Sequence, residues 1–497
     1  MRTRGQLLVL TLAPALALGA AAALAAGLAD DAWARPGGGQ SYSGGGGGSS
    51  SSGGGGGDAE LIFFLIRLII TYPKIGIPLA VIVIGYFVLK SRRGRAGREE
   101  SFSTAAAVPP RAGGDLGIIR KDDPDFSPIV WGDFVYRLYA SAHQARARPE
   151  AMAALAPYLS EEARQHLVAR EPRGVATGNV VIGAMRTLSV QREAKEGEGG
   201  RFVVRVAFES NMTSGDRTYF VEEVWTLARD LGVRSRPPGA AEALGCPNCG
   251  APFRSGDNQR CEYCGEVSGG GRFDWEVASI RLVQSQPRPP TLTRDVEEVG
   301  TEAPTVIDPR LRELWAALTR DDPQVDADRL RARVELIFRE LNAAWSALDA
   351  PRLRPYVSDG MFDYLRYWLD AYRQQGLRNQ IDDAAVSRVT LVKIARDRYY
   401  DAVTVRLFAS NHDYTVDGKG KVVAGSKRRR RGYSEYWTLI RGAGVRGPAR
   451  ADATCPQCGA GLKISMAGNC EHCGAHLTRG EFDWVLSKIE QDEAYSG

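Results

Sequence analysis

The chain has 497 residues, with 64 Lys and Arg against 59 Asp and Glu and a formal net charge of +5. That length excludes a single small domain and suits three or four, and so mild a basic balance does not compel a nucleic-acid partner. Glycine is abundant at 56 residues, but much of the excess lies in one segment and the remainder is ordinary globular composition.

The N-terminus has the form of a membrane address. Arg2 and Arg4 precede an apolar run from Leu7 to Leu28, and Ala32-Trp33-Ala34 offers a small-x-small site. This is the layout of a secretory signal peptide over 1–34, cleaved after Ala34; an uncleaved signal anchor is the competing reading, because the apolar run is long. Residues 35–57 are a Gly/Ser-rich linker with nothing to bury. In the membrane segment 58–90, Leu61–Ile70 is apolar except for Arg67, Tyr72-Pro73-Lys74 interrupts it, and Ile75–Leu89 carries no charge. A span needs about 20 residues, so a tilted helix from near Pro73 to Leu89 suffices as one transmembrane helix. Lys90, Arg92, Arg93, Arg95 and Arg98 follow at once. The positive-inside rule then puts everything after them in the cytoplasm. The expectation is a single-pass protein of the cell inner membrane, with a basic and flexible linker over 91–115.

Beyond that linker the chain repeats itself. Leu155–Ser160 matches Leu353–Ser358, Phe208-Glu-Ser210-Asn211 matches Phe408-Ala-Ser410-Asn411, Glu223-Val-Trp225-Thr-Leu227 matches Glu435-Tyr-Trp437-Thr-Leu439, and Phe273-Asp-Trp275 matches Phe482-Asp-Trp484. The copies span 116–283 and 309–491, joined by a Pro-rich polar linker at 284–308. Helical spacing marks Pro128–Ala147 and Leu330–Leu348, with shorter helices at Glu161–Ala169 and Asp359–Gln375. The aromatic residues Tyr364, Tyr367, Trp368 and Tyr372 fall on one face of the last of these, as a core stripe. Four strands follow in each copy: Asn179–Val190, Phe202–Phe208, Arg217–Leu227 and Phe273–Leu282, then Val386–Ile394, Ala402–Phe408, Tyr433–Ile440 and Phe482–Ile489.

All eight cysteines stand between the third and fourth strands of the copies. Cys246, Cys249, Cys261 and Cys264 read C-x2-C-x11-C-x2-C, and Cys455, Cys458, Cys470 and Cys473 repeat that spacing. Each pair sits on a tight turn closed by Gly. Doubled turns of this kind can set four thiolates at the corners of a tetrahedron, so the spacing predicts two Zn²⁺ ribbons, at 244–268 and 453–477. With sulfur at all four positions, no site is left for water, which makes the metal structural. Paired disulfides are the alternative and require an oxidising compartment. His472 and His476 flank a site already filled and are expected at the surface.

Two or three helices followed by a curved four-stranded antiparallel sheet resemble the cone-shaped nuclear-transport-factor-two-like (NTF2-like) fold, and specifically the Tim44-like domain named for the tether of the mitochondrial import motor. The resemblance rests on Leu155–Ser160, Val190, Glu223-x-Trp225-x-Leu227 with Arg229, and Trp275-x-Val277-x-x-Ile280. In the second copy it rests on Glu435-x-Trp437-x-Leu439, Arg441 and Trp484-Val485-Leu486-x-x-Ile489. Bacterial relatives place a Gly-rich segment and a span before this domain. The fold expected is therefore α+β: two cone-shaped domains, each with an inserted zinc ribbon. The resemblance implies a non-enzymatic membrane-tethered adaptor that binds membrane, lipid or a protein client, with an apolar cavity in each cone and a link to protein transport.

Two alternatives stay open. Glu223 and Glu435 share a strand face with a tryptophan and could point into the cones as proton-transfer groups of an NTF2-like enzyme, or else sit at the rim paired with an Arg. His143, His166 and His412 lack counterparts in the other copy and read as surface or satisfied histidines. Zinc ribbons also serve nucleic-acid binders, but between Cys246 and Cys264 Arg254 and Arg260 are balanced by Asp257 and Glu262, which argues against that partner. Lys427, Arg428, Arg429, Arg430 and Arg431 form a basic run expected in a loop, suited to contact with anionic lipid at roughly 1 kcal/mol per cation.

Overall fold

The computed structural model of the chain describes residues 114–194, 199–254, 260–287, 292, 301–449, 454–466, 468–492, 494–495 and 497. The expected signal peptide, Gly/Ser linker, transmembrane helix and most of the basic linker lie outside the described residues. Among the described residues, no helix is long and apolar enough to cross a membrane.

The first half contains α1 (Pro128–Ala145), α2 (Pro149–Ala154), α3 (Glu161–Val168), β1 (Thr177–Ala194), β2 (Gly200–Ser214), β3 (Arg217–Asp230), the short α4 (Pro238–Glu242) and β4 (Glu276–Pro287). The second contains α5 (Leu311–Asp321), α6 (Ala327–Ala347), α7 (Ala350–Leu353), α8 (Asp359–Gln374), β5 (Leu377–Arg396), β6 (Tyr400–Asp417), β7 (Val422–Gly442) and β8 (Val485–Gln491). Each half thus builds one four-stranded antiparallel sheet in sequence order, β1-β2-β3-β4 and β5-β6-β7-β8, with helices packed on it. The helices begin at side-chain caps: Ser127, Ser160, Asp326 and Ser358 each accept the N–H three residues on, worth about 1 kcal/mol apiece. α1 then buries Trp131, Phe134, Val135, Leu138 and Tyr139, an apolar stripe at helical spacing.

The two sheets are irregular at matching places. In β1 the register shifts between Ile182 and Ala184 and between Thr187 and Ser189; in β5 it shifts between Val386 and Arg388 and between Leu391 and Lys393. The third and fourth strands slip at Thr226/Leu227 and at Thr438/Leu439. Such bulges bend and twist a strand, and the resulting curvature makes room for the helices. Both edge strands are pinned at the second bulge by the segment that enters the domain: Gly114 N–H donates to Thr187 O at 3.4 Å, and Asp308 N–H to Val392 O at 2.9 Å.

One match between the halves fails by a single residue. Phe208 pairs with Glu223, whereas Phe408 pairs with Ser434, the residue before Glu435. A one-residue slip turns a strand's side chains to the other face. Phe208 accordingly lies in the helix-facing core, while Phe408 lies on the outer face between Arg388 and Arg406, whose guanidinium carbons are 3.9 Å and 4.8 Å from its ring centroid. The true counterpart of Phe208 is Leu407, opposite Glu435.

Aromatic side chains fill the interiors that the resemblance assigns to cavities. In the first half Tyr139 stacks on Phe208 at 4.3 Å and tilts against Trp225 at 4.9 Å. In the second, Trp345, Trp368, Tyr372 and Trp437 are all buried in one cluster, and the partly buried Tyr364 and Tyr367 pack against it. The aromatic stripe of α8 is core, as its spacing predicts. The expected linker is partly built into these domains. Gln284–Pro287 completes β4, and Val306 and Ile307 pack with Val392, Tyr436 and Tyr495 on the outer face of the second sheet. The halves also touch: Val130 and Ala241 cluster with Tyr400, Ala402, Ile440 and Val485, Ser127 Oγ donates to Asp397 at 2.7 Å, and Arg398 pairs with Asp125.

Candidate metal centres

Each four-cysteine unit leaves the sheet after the third strand and returns before the fourth. At the point of return sits a glycine held against the backbone. Gly271 (φ +76°) and Gly480 (φ +77°) occupy the left-handed region, and a Cβ would stand 3.0 Å from Ala228 O in one case and 2.9 Å from Arg441 Cα in the other. Only Gly meets both demands. Their carbonyls accept Asp230 N–H at 2.9 Å and Gly442 N–H at 2.8 Å, closing the neck of each insertion.

Within each unit two turns carry the thiols. Gly250, Gly265, Gly459 and Gly474 have φ of 74–77°, and each donates its N–H to the carbonyl of the first cysteine of its pair at 2.8–2.9 Å. These turns bring the sulfurs together. Cys246 Sγ lies 3.8 Å from Cys264 Sγ, Cys249 Sγ 3.9 Å from Cys261 Sγ, and Cys455 Sγ 3.9 Å from Cys473 Sγ. All four ligand atoms of each group fall within 4.8 Å of one another. A disulfide needs about 2.05 Å, so all eight cysteines are free thiols. A tetrahedron with metal–sulfur bonds of about 2.3 Å has edges of about 3.8 Å. The donor set and its dimensions therefore fit a tetrahedral metal ion at both places. Without one the thiols of each group compete for charge: burial pushes Cys246 up while the Glu266 N–H holds Cys264 down, and in the second group Cys455 is lowered and Cys473 raised. A divalent cation would remove that conflict by displacing the protons.

The units are seated rather than free. In the first, Phe253 packs with Ala156, Cys246 and Cys261. Tyr158 Oη donates to Gly245 O at 2.7 Å, and Arg236 bridges Asp274 and Tyr158. In the second, Leu477 packs with Cys455 and Cys470. Arg354 donates to Met466 O at 3.1 Å and to Asp359 at 2.6 Å, while Thr478 Oγ1 donates to Asp359 at 2.8 Å. His472 is exposed, but His476 is not the surface residue expected: it faces Glu481 at 3.0 Å and Asp359 at 3.8 Å.

The remaining singled-out residues fall elsewhere. Glu223 is fully buried, not at the rim. His143 Nε2 lies 2.9 Å from Glu223 Oε2, Arg170 pairs with Oε1, and Trp225 Nε1 donates to Oε2 at 3.1 Å. Burial pushes the Glu223 carboxyl up, but His143, Arg170 and Trp225 outweigh it and hold it at about 2. Burial pushes His143 below its ordinary value. Glu435 is buried too and accepts from Trp437 Nε1 at 2.9 Å and Gln491 Nε2 at 3.2 Å. The basic run lies within β7 rather than before it, and only its end is paired: Arg431 stands opposite Asn411 and Arg430 opposite His412, while Lys427, Arg428 and Arg429 bulge out of the ladder at the register shift between His412 and Tyr414. Lys427 and Arg428 are exposed, with the Lys427 ammonium 5.0 Å from the Tyr414 ring centroid, while Arg430 donates to Ser410 Oγ and Asp383 O.

The motif arginines hold the base of each insertion. Arg229 lies 4.9 Å over Trp275 and donates to Asp123 at 2.9 Å; Arg441 lies 4.6 Å over Trp484 and pairs with Asp322 at 3.1 Å. Sequence reasoning found the arginines and tryptophans but missed the aspartates. Their signal was a repeated Asp-Asp-Pro, at Asp122–Pro124 and Asp321–Pro323.

Comparison with known families decides the second half. The family model of the Tim44-like domain matches residues 311–449. Residues 311–449 are a Tim44-like domain. That match takes in α5 to β7 and stops short of the second four-cysteine unit and of β8. The first half shares strand order, bulge positions and the buried Asp–Arg–Trp trio with the second half, of which β8 and Trp484 lie beyond the matched residues. Among solved structures, an "Ntf2 like protein involved in plasmid conjugation" is 8% identical, over 72% of this chain and 92% of that one, at a TM-score of 0.15, too low to carry an argument. No curated protein matches the chain.

Proposed function

We propose that this chain is a membrane-tethered, non-enzymatic adaptor of the bacterial inner membrane, in which two Tim44-like units arose by duplication and each carries a structural zinc ribbon. The Tim44-like match at 311–449 is the observation that carries the reading. The all-sulfur donor sets support zinc as the metal and a structural role for it, because four thiolates leave no coordination position for a substrate. Buried aromatic packing in both interiors favours a scaffold over a catalytic cone, since the carboxylates there are already engaged. The N-terminal apolar run and the arginines after it supply the tether and orient the folded units toward the cytoplasm. Lys427 and Arg428, exposed on β7, then meet anionic lipid at the same surface. The client is a protein of the membrane or of a transport route.

The test is in-cell crosslinking from the full-length protein, followed by detergent purification and mass spectrometry. The adaptor reading expects one reproducible membrane-protein partner, lost when Cys249 and Cys458 are both changed to Ser while the chain stays in the membrane fraction. Recovery of the chain alone from wild-type cells would contradict it.

A further inference from the structure

One level of the interior is built differently in the two halves. The buried residues of α1 and α6 match in order, Val135, Leu138 and Tyr139 against Val334, Ile337 and Phe338. That match sets His143 opposite Asn342 and Arg146 opposite Trp345. The capping serines Ser160 and Ser358 likewise set Arg170 opposite Trp368. Trp345 and Trp368 are fully buried in the second core. The first half thus holds two guanidinium groups where the second holds two indoles, and Arg146 and Arg170 are each only 7% exposed.

The hydrogen bonds of this pair are incomplete. Arg146 Nη2 donates to Ser214 Oγ at 2.9 Å, and Arg170 Nη1 donates to Glu223 Oε1. Arg146 Nε, Arg170 Nη2 and Thr177 Oγ1 are shut off from solvent and have no hydrogen-bond partner among the described residues. Thr177 stands directly opposite Ser214 across the β1–β2 ladder, so the two hydroxyls share a face of the sheet. Charge is out of balance as well. Burial and the Arg170 charge push Arg146 down, and Glu223, the one carboxylate among the described residues that acts on it, has the weaker effect. His143 is neutral near pH 7, because burial pushes it below its ordinary value. Two cations therefore face one anion. The C-terminal ends of α1 and α3 precede the two arginines and offset part of the excess, but they supply no acceptor to Arg146 Nε or Arg170 Nη2. A buried charged donor left without an acceptor is costly.

We propose that Arg146, Arg170 and Thr177 hold a small monovalent anion of chloride size inside the first half, accepting from Arg146 Nε, Arg170 Nη2 and the Thr177 hydroxyl. A single negative charge balances two guanidinium groups against one carboxylate. Burial of all three side chains excludes a bulky ligand. The ion ties the end of α1 and the chain leaving α3 to the first residue of β1. The second half has no such requirement: its indoles are uncharged, and it carries a carboxylate of its own at this level. By the match of Phe208 to Leu407, Asp413 stands where Ser214 does, and it accepts from Asn379 Nδ2 at 2.7 Å. The inference is independent of the adaptor reading.

The experiment is urea unfolding of the full-length, metal-loaded protein in detergent, followed by tryptophan fluorescence, with gluconate replaced stepwise by chloride at constant ionic strength. A ligand that binds only the folded state raises its midpoint with concentration. The first-half transition is expected to move to higher urea as chloride rises, and the second-half transition to stay in place. Arg146→Met should remove the chloride dependence. Ser214→Asp copies the second half and sets a fixed carboxylate beside Arg146. It should also remove the dependence, with a midpoint in gluconate at or above that of the wild type. A first-half midpoint indifferent to chloride would overturn the proposal, as would an equal chloride shift of both transitions. A chloride shift that survives in Ser214→Asp, or a lowered gluconate midpoint in that variant, would overturn it equally.

Discussion

Glu223→Gln is the substitution whose consequences are most sharply set by the structure. The carboxylate is fully buried, meets His143, Arg170 and Trp225 at once, and is held at about 2 against an ordinary 4.5. A depressed carboxyl contributes stability that is complete above its unfolded value and is lost as pH falls through the folded one. The displacement corresponds to roughly 3 kcal/mol. The amide keeps the shape but removes the charge and leaves Arg170 buried without its carboxylate, which costs about 3–5 kcal/mol where a buried pair is broken. The assay is urea unfolding followed by tryptophan fluorescence, for which Trp225 is a reporter in direct contact. At pH 7 the first-half transition of Glu223→Gln should move to clearly lower urea. In the wild type that transition should weaken as pH falls from about 4.5 toward 2, and in the variant this slope should vanish. A separate weakening below 6.5 belongs to His143, whose folded value burial depresses, and it should persist in the variant. A variant with the wild-type midpoint at pH 7, or with the same slope between 4.5 and 2, would refute the reasoning.

Gly480→Ala forces a Cβ into 2.9 Å contact with the Arg441 backbone at a positive φ; strain of about 1–3 kcal/mol should loosen the second insertion and speed its loss of metal to a chelator, as read by zinc release, while the first ribbon is unaffected. Removing metal from the wild type should open both ribbons to limited proteolysis within 246–264 and 455–473 yet leave far-UV circular dichroism of the sheets nearly unchanged, since so small a unit cannot hold itself together by burial alone. Changing Lys427–Arg431 to Ser should weaken binding of the protein to anionic vesicles, with the loss carried mainly by the exposed Lys427 and Arg428; a co-flotation assay in which binding is unchanged would remove lipid contact from the account.

The strand-and-helix plan was legible because each signal was local. Ser160 and Ser358 cap helices that follow a Pro-Tyr, β-branched runs alternate, and the C-x2-C pairs mark their own turns. What needed coordinates was register. Phe208 and Phe408 sit in like-sounding tetrapeptides but point to opposite faces, because a bulge or slip of one residue is invisible in a short match. Strand lengths were underestimated for a related reason: in β7 pairing resumes at Gly425 beyond a bulge that holds Lys427, Arg428 and Arg429, so a charged stretch that reads as the end of a strand is an interruption within one. The partners of Glu223 come from α1 and the end of α3, 80 and 53 residues away, and no period or spacing in the chain joins them. The Asp-Asp-Pro repeat would have placed Asp123 and Asp322 beside Arg229 and Arg441, had the repeat been extended back to the first turn of each copy.

The central claim is that each half of the folded chain is held at its head by one structural zinc ion. Native mass spectrometry of the full-length protein, purified without added metal, measures it directly. The account predicts two zinc ions per chain, one lost in Cys249→Ser/Cys264→Ser and the other in Cys458→Ser/Cys473→Ser, with the remaining ion kept in each case. A chain with intramolecular disulfides, with an iron–sulfur cluster, or with a single ion shared between the two four-cysteine groups would contradict it.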